Sequence, residues 1–231
     1  MSDITSREYF NVFIKTKCNC SQNLCDGDHM ISYRPNSNNV IYLHHNTRYM
    51  LGVSNNHCNP ILAVATIDSL SIGKFRIDSY SSCLIKRPIS INRQLVFVDK
   101  CDQLSSMGIL KHLQSITPGQ IQVSVLPAAK IGNCDIINYQ KLESDSNLPS
   151  VIKKELDIRT SALAGVIGGT ILGRRTSQNF RIAPHLQTSG KHLFTIGLLT
   201  GDPTRNSVIC EEFSPLSKTL YNPDQIYEVV D

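Results

Sequence analysis

The chain has 231 residues, 41% of them hydrophobic and 18% charged, and its 23 Lys and Arg against 19 Asp and Glu leave a net charge of +4. A chain of this length buries roughly 70% of its unfolded surface without disulfides, and so mild a charge is not the dense basic stripe of a dedicated nucleic-acid binder. The longest apolar run, Ala162 to Leu172, is about half of the ~20 residues that span a bilayer, and Met1 to Asn11 lacks the apolar stretch of a secretory signal. A membrane span, a disordered tail protein and a secreted disulfide scaffold are thereby excluded. Eight cysteines (18, 20, 25, 58, 83, 101, 134 and 210) contain no C-x-x-C pair, so they read as reduced thiols of a cytosolic environment.

In chain order, the first feature is Cys18, Cys20, Cys25 and His29, a C-x-C-x4-C-x3-H cluster within twelve residues. Three thiolates and an imidazole suffice for a structural tetrahedral zinc. The alternative is a polar loop, Cys18 to Asp28, whose thiols are incidental. His44, His45, His57 and Cys58 could add ligands from a neighbouring hairpin.

Short β-branched or aromatic segments follow, bounded by Asn, Pro, Gly and Ser: Val40–Leu43, Tyr49–Val53, Ile61–Ile67, Lys74–Ile77, Ser82–Ile85 and Gln94–Val98. They read as strands of an antiparallel meander. Ile67 to Gly73 looks like a hairpin connection. Gln120–Val125 alternates polar and apolar strictly, which predicts one wet and one buried face, and His192–Leu199 is a closing strand. Helical signal is sparse. Asp102–Ile116 places Leu104, Met107, Leu110 and Leu113 at spacings of three, and Leu148–Leu156 has Pro149 near its start.

Ala162–Arg175 (ALAGVIGGTILGRR) reads as a flexible glycine-rich surface loop or an arm that packs on a neighbour. A phosphate-cradling loop is the alternative there, although G-x-x-x-x-G-K-[ST] is missing. Ser144–Asn147 is the best linker candidate. These segments divide the chain into an N-terminal piece with the Cys/His cluster (1–39), a β-rich module (40–143) and a glycine-rich segment with closing strands (144–231), which could pack as one domain. Many short strands with little helix predict a mostly β fold, a jelly-roll or β-sandwich with one or two short helices.

No complete catalytic set is present. His45-Asn46-Thr47 matches one H-x-T element of two-histidine phosphoesterases, but His185-Leu186-Gln187-Thr188 has one residue too many. G-x-S-x-G and H-E-x-x-H are both missing from the sequence. Lys86-Arg87-Pro88 and Arg174-Arg175 read as solvated rims or as interface arginines.

His45 to Val98 resembles a β-rich module of structural proteins of large nucleocytoplasmic DNA viruses, in which a hairpin pattern of the kind IDG..IG.FRI...SS..I.RP precedes a strand rich in Phe. The matching residues are Ile67, Asp68, Ile72, Gly73, Phe75, Arg76, Ile77, Ser81, Ser82, Ile85, Arg87 and Pro88. Leu70 departs from the glycine that would favour the turn, which predicts a looser hairpin. Gly165 to Thr200 looks like the same family's glycine-rich segment, Gly168-Gly169-Thr170, followed by Ser177-Gln178-Asn179-Phe180 and a final strand. The matching pieces cover roughly half the chain.

What the resemblance implies is a capsid-associated virion component, a vertex (penton) or minor capsid protein, with other capsid proteins and copies of itself as partners. It implies assembly in the host cytoplasm and no catalytic residues to carry over; the one cofactor expected is the structural zinc of the N-terminal cluster. Asp68, Arg76 and Arg87 would pair within turns or across strands. A β-sandwich binding module for a glycan or protein ligand, and a phosphoesterase-like enzyme using His45 and His185, are the alternatives from other classes.

Overall fold

A computed structural model describes residues 9–17, 30–99, 119–129, 166–200, 214–215, 222 and 224–230. Its strands, in chain order, are β1 (Phe10–Lys17), β2 (Met30–Tyr33), β3 (Val40–Leu43), β4 (Thr47–Asn55), β5 (Ile61–Ile67), β6 (Leu70–Ile77) and β7 (Ser81–Ile85). There follow β8 (Arg93–Asp99), β9 (Gln120–Pro127), β10 (Val166–Arg175), β11 (Asn179–Ala183), β12 (His192–Thr200), β13 (Ser214–Pro215) and β14 (Ile226–Val230). The fold is mostly β, and its two multi-stranded sheets form a β-sandwich. Both helical expectations, 102–116 and 148–156, and the linker 144–147 lie outside the described residues.

The first sheet is built on β4, which pairs with β1, β7 and β8, while β8 passes on to β10. The second runs β11, β14, β6, β5, β9, β12, with β3 parallel to the end of β12. Strands from all three stretches of chain named above thus pair with one another. Alternation decides which side chains meet between the sheets. Phe10, Val12 and Ile14 of β1 and Tyr49, Leu51 and Val53 of β4 point inward from the first sheet. They meet Ile61, Ala63, Ala65 and Ile67 of β5 and Ile121, Val123 and Val125 of β9 from the second. The strict alternation of Gln120–Val125 therefore has its buried face in this core, as expected.

Between β5 and β6 the turn is only two residues long. Asp68 and Ser69 have φ of 50° and 66°, the left-handed pair that a type I′ hairpin requires, and Leu70 already pairs with Ile67. The sequence expectation of a loose hairpin is corrected: the turn is Asp68-Ser69 and ends before Leu70, so the left-handed backbone that favours glycine falls on Ser69 and Leu70 needs none.

The larger correction concerns Ala162–Arg175, expected as a surface loop or arm. From Val166 onward it is β10, a strand interior to the pairing path. Val166 and Ile167 pair with Thr200 and Leu199 of β12 in the second sheet, and from Gly168 the same strand pairs with Asp99, Val98 and Phe97 of β8 in the first. Strands that change sheets make the corners of a sandwich. Here glycine is a steric requirement, because a Cβ on Gly168 would run into the Val98 carbonyl oxygen and the Phe97 ring. Turn composition suggested a loop, but close approach of two backbones calls for the same residue.

Where a strand leaves one ladder for another, backbone N–H groups lose their partners and must find others. Asp68 supplies them. One carboxylate oxygen accepts the N–H of Gly119 at 2.6 Å and the other accepts the N–H of Thr170 at 2.7 Å, while the Asp68 N–H donates to the Gln120 carbonyl at 2.9 Å. The Thr170 hydroxyl lies 2.7 Å from the Tyr49 hydroxyl, and Asp68 and Tyr49 are only 5% and 2% exposed. A hairpin tip of the second sheet is thereby fastened to β10 and β4 of the first.

Burial pushes the Asp68 carboxyl up to about 7, although its hydrogen bonds from Thr170, Gly119 and Gln120 pull the other way. Burial also holds the Tyr49 phenol far above its usual range. Asp68 is therefore harder to ionise folded than unfolded. Its contribution is complete below the unfolded value near 3.8, shrinks as pH rises, and levels off above about 7. Thermal melts should show stability falling over that interval. In Asp68→Asn that slope should flatten, with a uniform loss of about 1–3 kcal/mol from one mismatched buried N–H.

At the corner, Gly168→Ala should cost about 1–3 kcal/mol through overpacking against backbone that cannot yield. Gly197→Ala, whose Cβ would meet only Val40 Cγ2 at 3.6 Å, should melt within error of the parent.

Candidate functional site

At the far end of β10, where Arg175 pairs with Arg93, the sheets meet again through side chains. β7 ends at Ile85, and the following loop 86–92, which contains Pro88, turns under the second sheet, with the Ile89 N–H donating to the Ile72 carbonyl at 3.0 Å. Gln178, 4% exposed, lies just before β11. Its side-chain oxygen accepts the Lys86 N–H at 2.8 Å and its amide nitrogen donates to the Leu84 carbonyl at 2.6 Å. A single primary amide thus does for the end of β7 what a neighbouring strand's peptide group would do.

Arg87 fixes the loop from inside. Its Nε donates to the Gln178 carbonyl at 3.0 Å, and Nη1 donates to the carbonyls of Pro88 at 3.0 Å, Ile89 at 2.9 Å and, more weakly, Ile91 at 3.4 Å. The guanidinium carbon sits 4.4 Å from the centre of the Phe180 ring, and Phe180 in turn packs on Phe75 at 5.8 Å. Burial lowers the Arg87 pKa, but a guanidinium remains charged at neutral pH. An open depression of about 430 Å³ lies beside this group, with Ile89, Ser90, Phe180, Asn222 and Tyr227 also on its walls.

Arg76 and Glu228 tie β6 to β14 with a 3.6 Å ion pair, and Glu228 also holds Arg181 of β11 at 2.6 Å. Arg76, Arg87 and Asp68 thus act within turns and across strands. Arg87 is no solvated rim residue.

The sequence-predicted ligand and catalytic residues fare differently. Cys18, Cys20, Cys25 and His29 lie outside the described residues, bracketed by Lys17 opposite Met30. His44 and His45 precede β4 while His57 and Cys58 follow it, so the nine residues of β4 separate the two pairs. The His57 Nδ1 accepts the Asn59 N–H at 3.1 Å, and its ring stands edge-on to Tyr9 at 5.5 Å, the setting of a turn histidine. Among the described residues no group of three or more His, Cys, Asp or Glu could hold a metal ion, and no helix is long and apolar enough to cross a membrane.

His45 and His185 are not brought together. His45 follows β3, which runs beside the Thr200 end of β12, whereas Gln187 and Thr188 pair with Ala129 and Ala128, beyond the His192 end. The length of β12, roughly 25 Å at ~3.3 Å per residue, lies between them. The phosphate-cradle alternative also fails, because the Thr170 N–H that would face a phosphate is already bound to Asp68.

No protein-family model, no curated protein and no solved structure matches this chain.

Sequence reasoning missed the function of Gln178. Gln178 lies in the Ser177–Phe180 element, but nothing local signals an amide whose partners lie more than ninety positions earlier. Gln178→Ala would take the side-chain partner from a part-buried carbonyl and a part-buried N–H, at a cost of about 1 kcal/mol. Hydrogen exchange should report it at residue level, with the Lys86 amide exchanging faster in Gln178→Ala and unchanged in Ser177→Ala.

Proposed function

We propose that the protein is a structural component of a virus particle, capsid-associated at a vertex or as a minor capsid protein, that assembles through contacts with copies of itself and with other capsid proteins. The observation that carries this reading is the free margin of the second sheet. β11 is the last strand of its path, and it presents Ile182 at 64% exposure beside a row of backbone donors and acceptors that no strand among the described residues pairs. An exposed edge strand bearing an outward apolar side chain is a template for association unless something covers it. Tyr80, 74% exposed in the β6–β7 turn, and Val230 at the end of β14 add apolar surface on other parts of the sandwich.

Further support comes from the residues that carry the viral resemblance. Asp68 and Gly168 sit at the corner, while Arg87, Gln178 and Phe180 sit at the opposite seam, and all of them build framework. A building block needs such a frame and outward contacts rather than a reactive centre.

Light scattering across a dilution series, with electron microscopy of the concentrated protein, tests the reading. The protein should form discrete oligomers, and Ile182→Lys should weaken association about tenfold while leaving the melting temperature unchanged. A chain that stays monomeric at its highest soluble concentration, and that binds no other virion protein, would overturn it.

A further inference from the structure

Arg87 is unusual among the described arginines in how completely it is held. Nε and Nη1 are engaged by backbone carbonyls and one face of the guanidinium covers Phe180, so its position is set before any ligand arrives. Its Nη2 donates to no described residue, and the group borders the 430 Å³ depression as the one charged residue among those described on its wall. Ligand pockets span roughly 300 to 1,000 Å³, so the space suits a molecule of monosaccharide size.

The other described residues of the wall are uncharged, and several can hydrogen bond. Ser90 is exposed, the Asn222 side-chain oxygen accepts the Asp224 N–H at 3.0 Å while its amide nitrogen has no partner among the described residues, and Tyr227 shares the wall with Phe180. Glu228, the adjacent acid, alternates to the other face of β14, where Arg76 and Arg181 engage it. Among the described residues, no acid on the pocket wall compensates the Arg87 charge.

We infer that this seam pocket binds an acidic sugar, with the carboxylate on Arg87 Nη2, the sugar hydroxyls on Ser90 and Asn222, and the ring against Tyr227. Fixed donors bind without first losing side-chain freedom, and an arginine–carboxylate contact is a charge-assisted hydrogen bond. An acidic protein side chain would use Arg87 but leave the neutral groups without partners, and for that reason the sugar is the better fit. The inference is independent of the assembly reading, since the pocket and the β11 margin are tested by different variants.

The full-length protein would be titrated with glucuronic acid and with N-acetylneuraminic acid by calorimetry and saturation-transfer NMR, with glucose and acetate as comparisons. At least one acid should bind with a Kd on the order of 1 mM, weaken as salt is raised, and exceed glucose by about tenfold. Ser90→Asp, on an exposed position with no structural partner, should reduce acid binding by about tenfold through like-charge repulsion without shifting the melting temperature. Binding of neither acid, equal binding of glucose, or acid binding untouched by Ser90→Asp would overturn the proposal. Acetate binding as tightly as the sugar acids would also overturn it, in favour of a carboxylate side chain from a protein.

Discussion

A two-sheet sandwich in which one strand belongs to both sheets has to satisfy the backbone at the crossing point, and in this protein one carboxyl group does it. Asp68 reaches from the tip of the β5–β6 hairpin to the N–H groups of Gly119 and Thr170. Every element at the corner is arranged around that reach. The turn is tight enough to project a short side chain, Gly168 lets β10 lie against Val98, and Gly119, with φ of 72°, fits its backbone between the carbonyls of Leu198 and Gly168. A longer acid would overshoot, and a hydroxyl offers one oxygen where two acceptors are needed.

The opposite seam solves the same problem without a shared strand. Gln178 imitates a peptide group and Arg87 gathers the carbonyls of a loop that has no ladder of its own. The sandwich is therefore held along both sides by polar side chains, while the apolar core between the sheets supplies most of the driving force. Polar groups at the seams set which strand lies against which, a matter that non-directional hydrophobic burial leaves open.

Much of the strand pattern was legible in the sequence. Ile61–Ile67 and Val40–Leu43 have the bounds read from composition, and Gln120–Pro127 shows its buried face in its alternation. Phe10–Lys17 carried the same alternating signal and went unread. Asn179–Ala183 is different, since a short, largely exposed edge strand has little apolar pattern to show. β10 was misread because glycine signals a turn locally and a backbone contact only when the partner is known. At the candidate site, Arg87 looked like one more surface cation. Its partners at Gln178 and Phe180 come from a distant part of the chain, and one-dimensional spacing holds no trace of them.

The crossing strand also has a kinetic meaning. Thr170 lies 102 residues after Asp68 and 121 after Tyr49, so neither joint contact exists until three quarters of the chain has left the ribosome. Contacts of such separation make folding slow. Meanwhile β4, β5, β8 and β9 stand complete but unsealed, with apolar faces and open edges exposed to other chains. The protein's most exposed period is thus its own synthesis, and the arrival of β10 ends it.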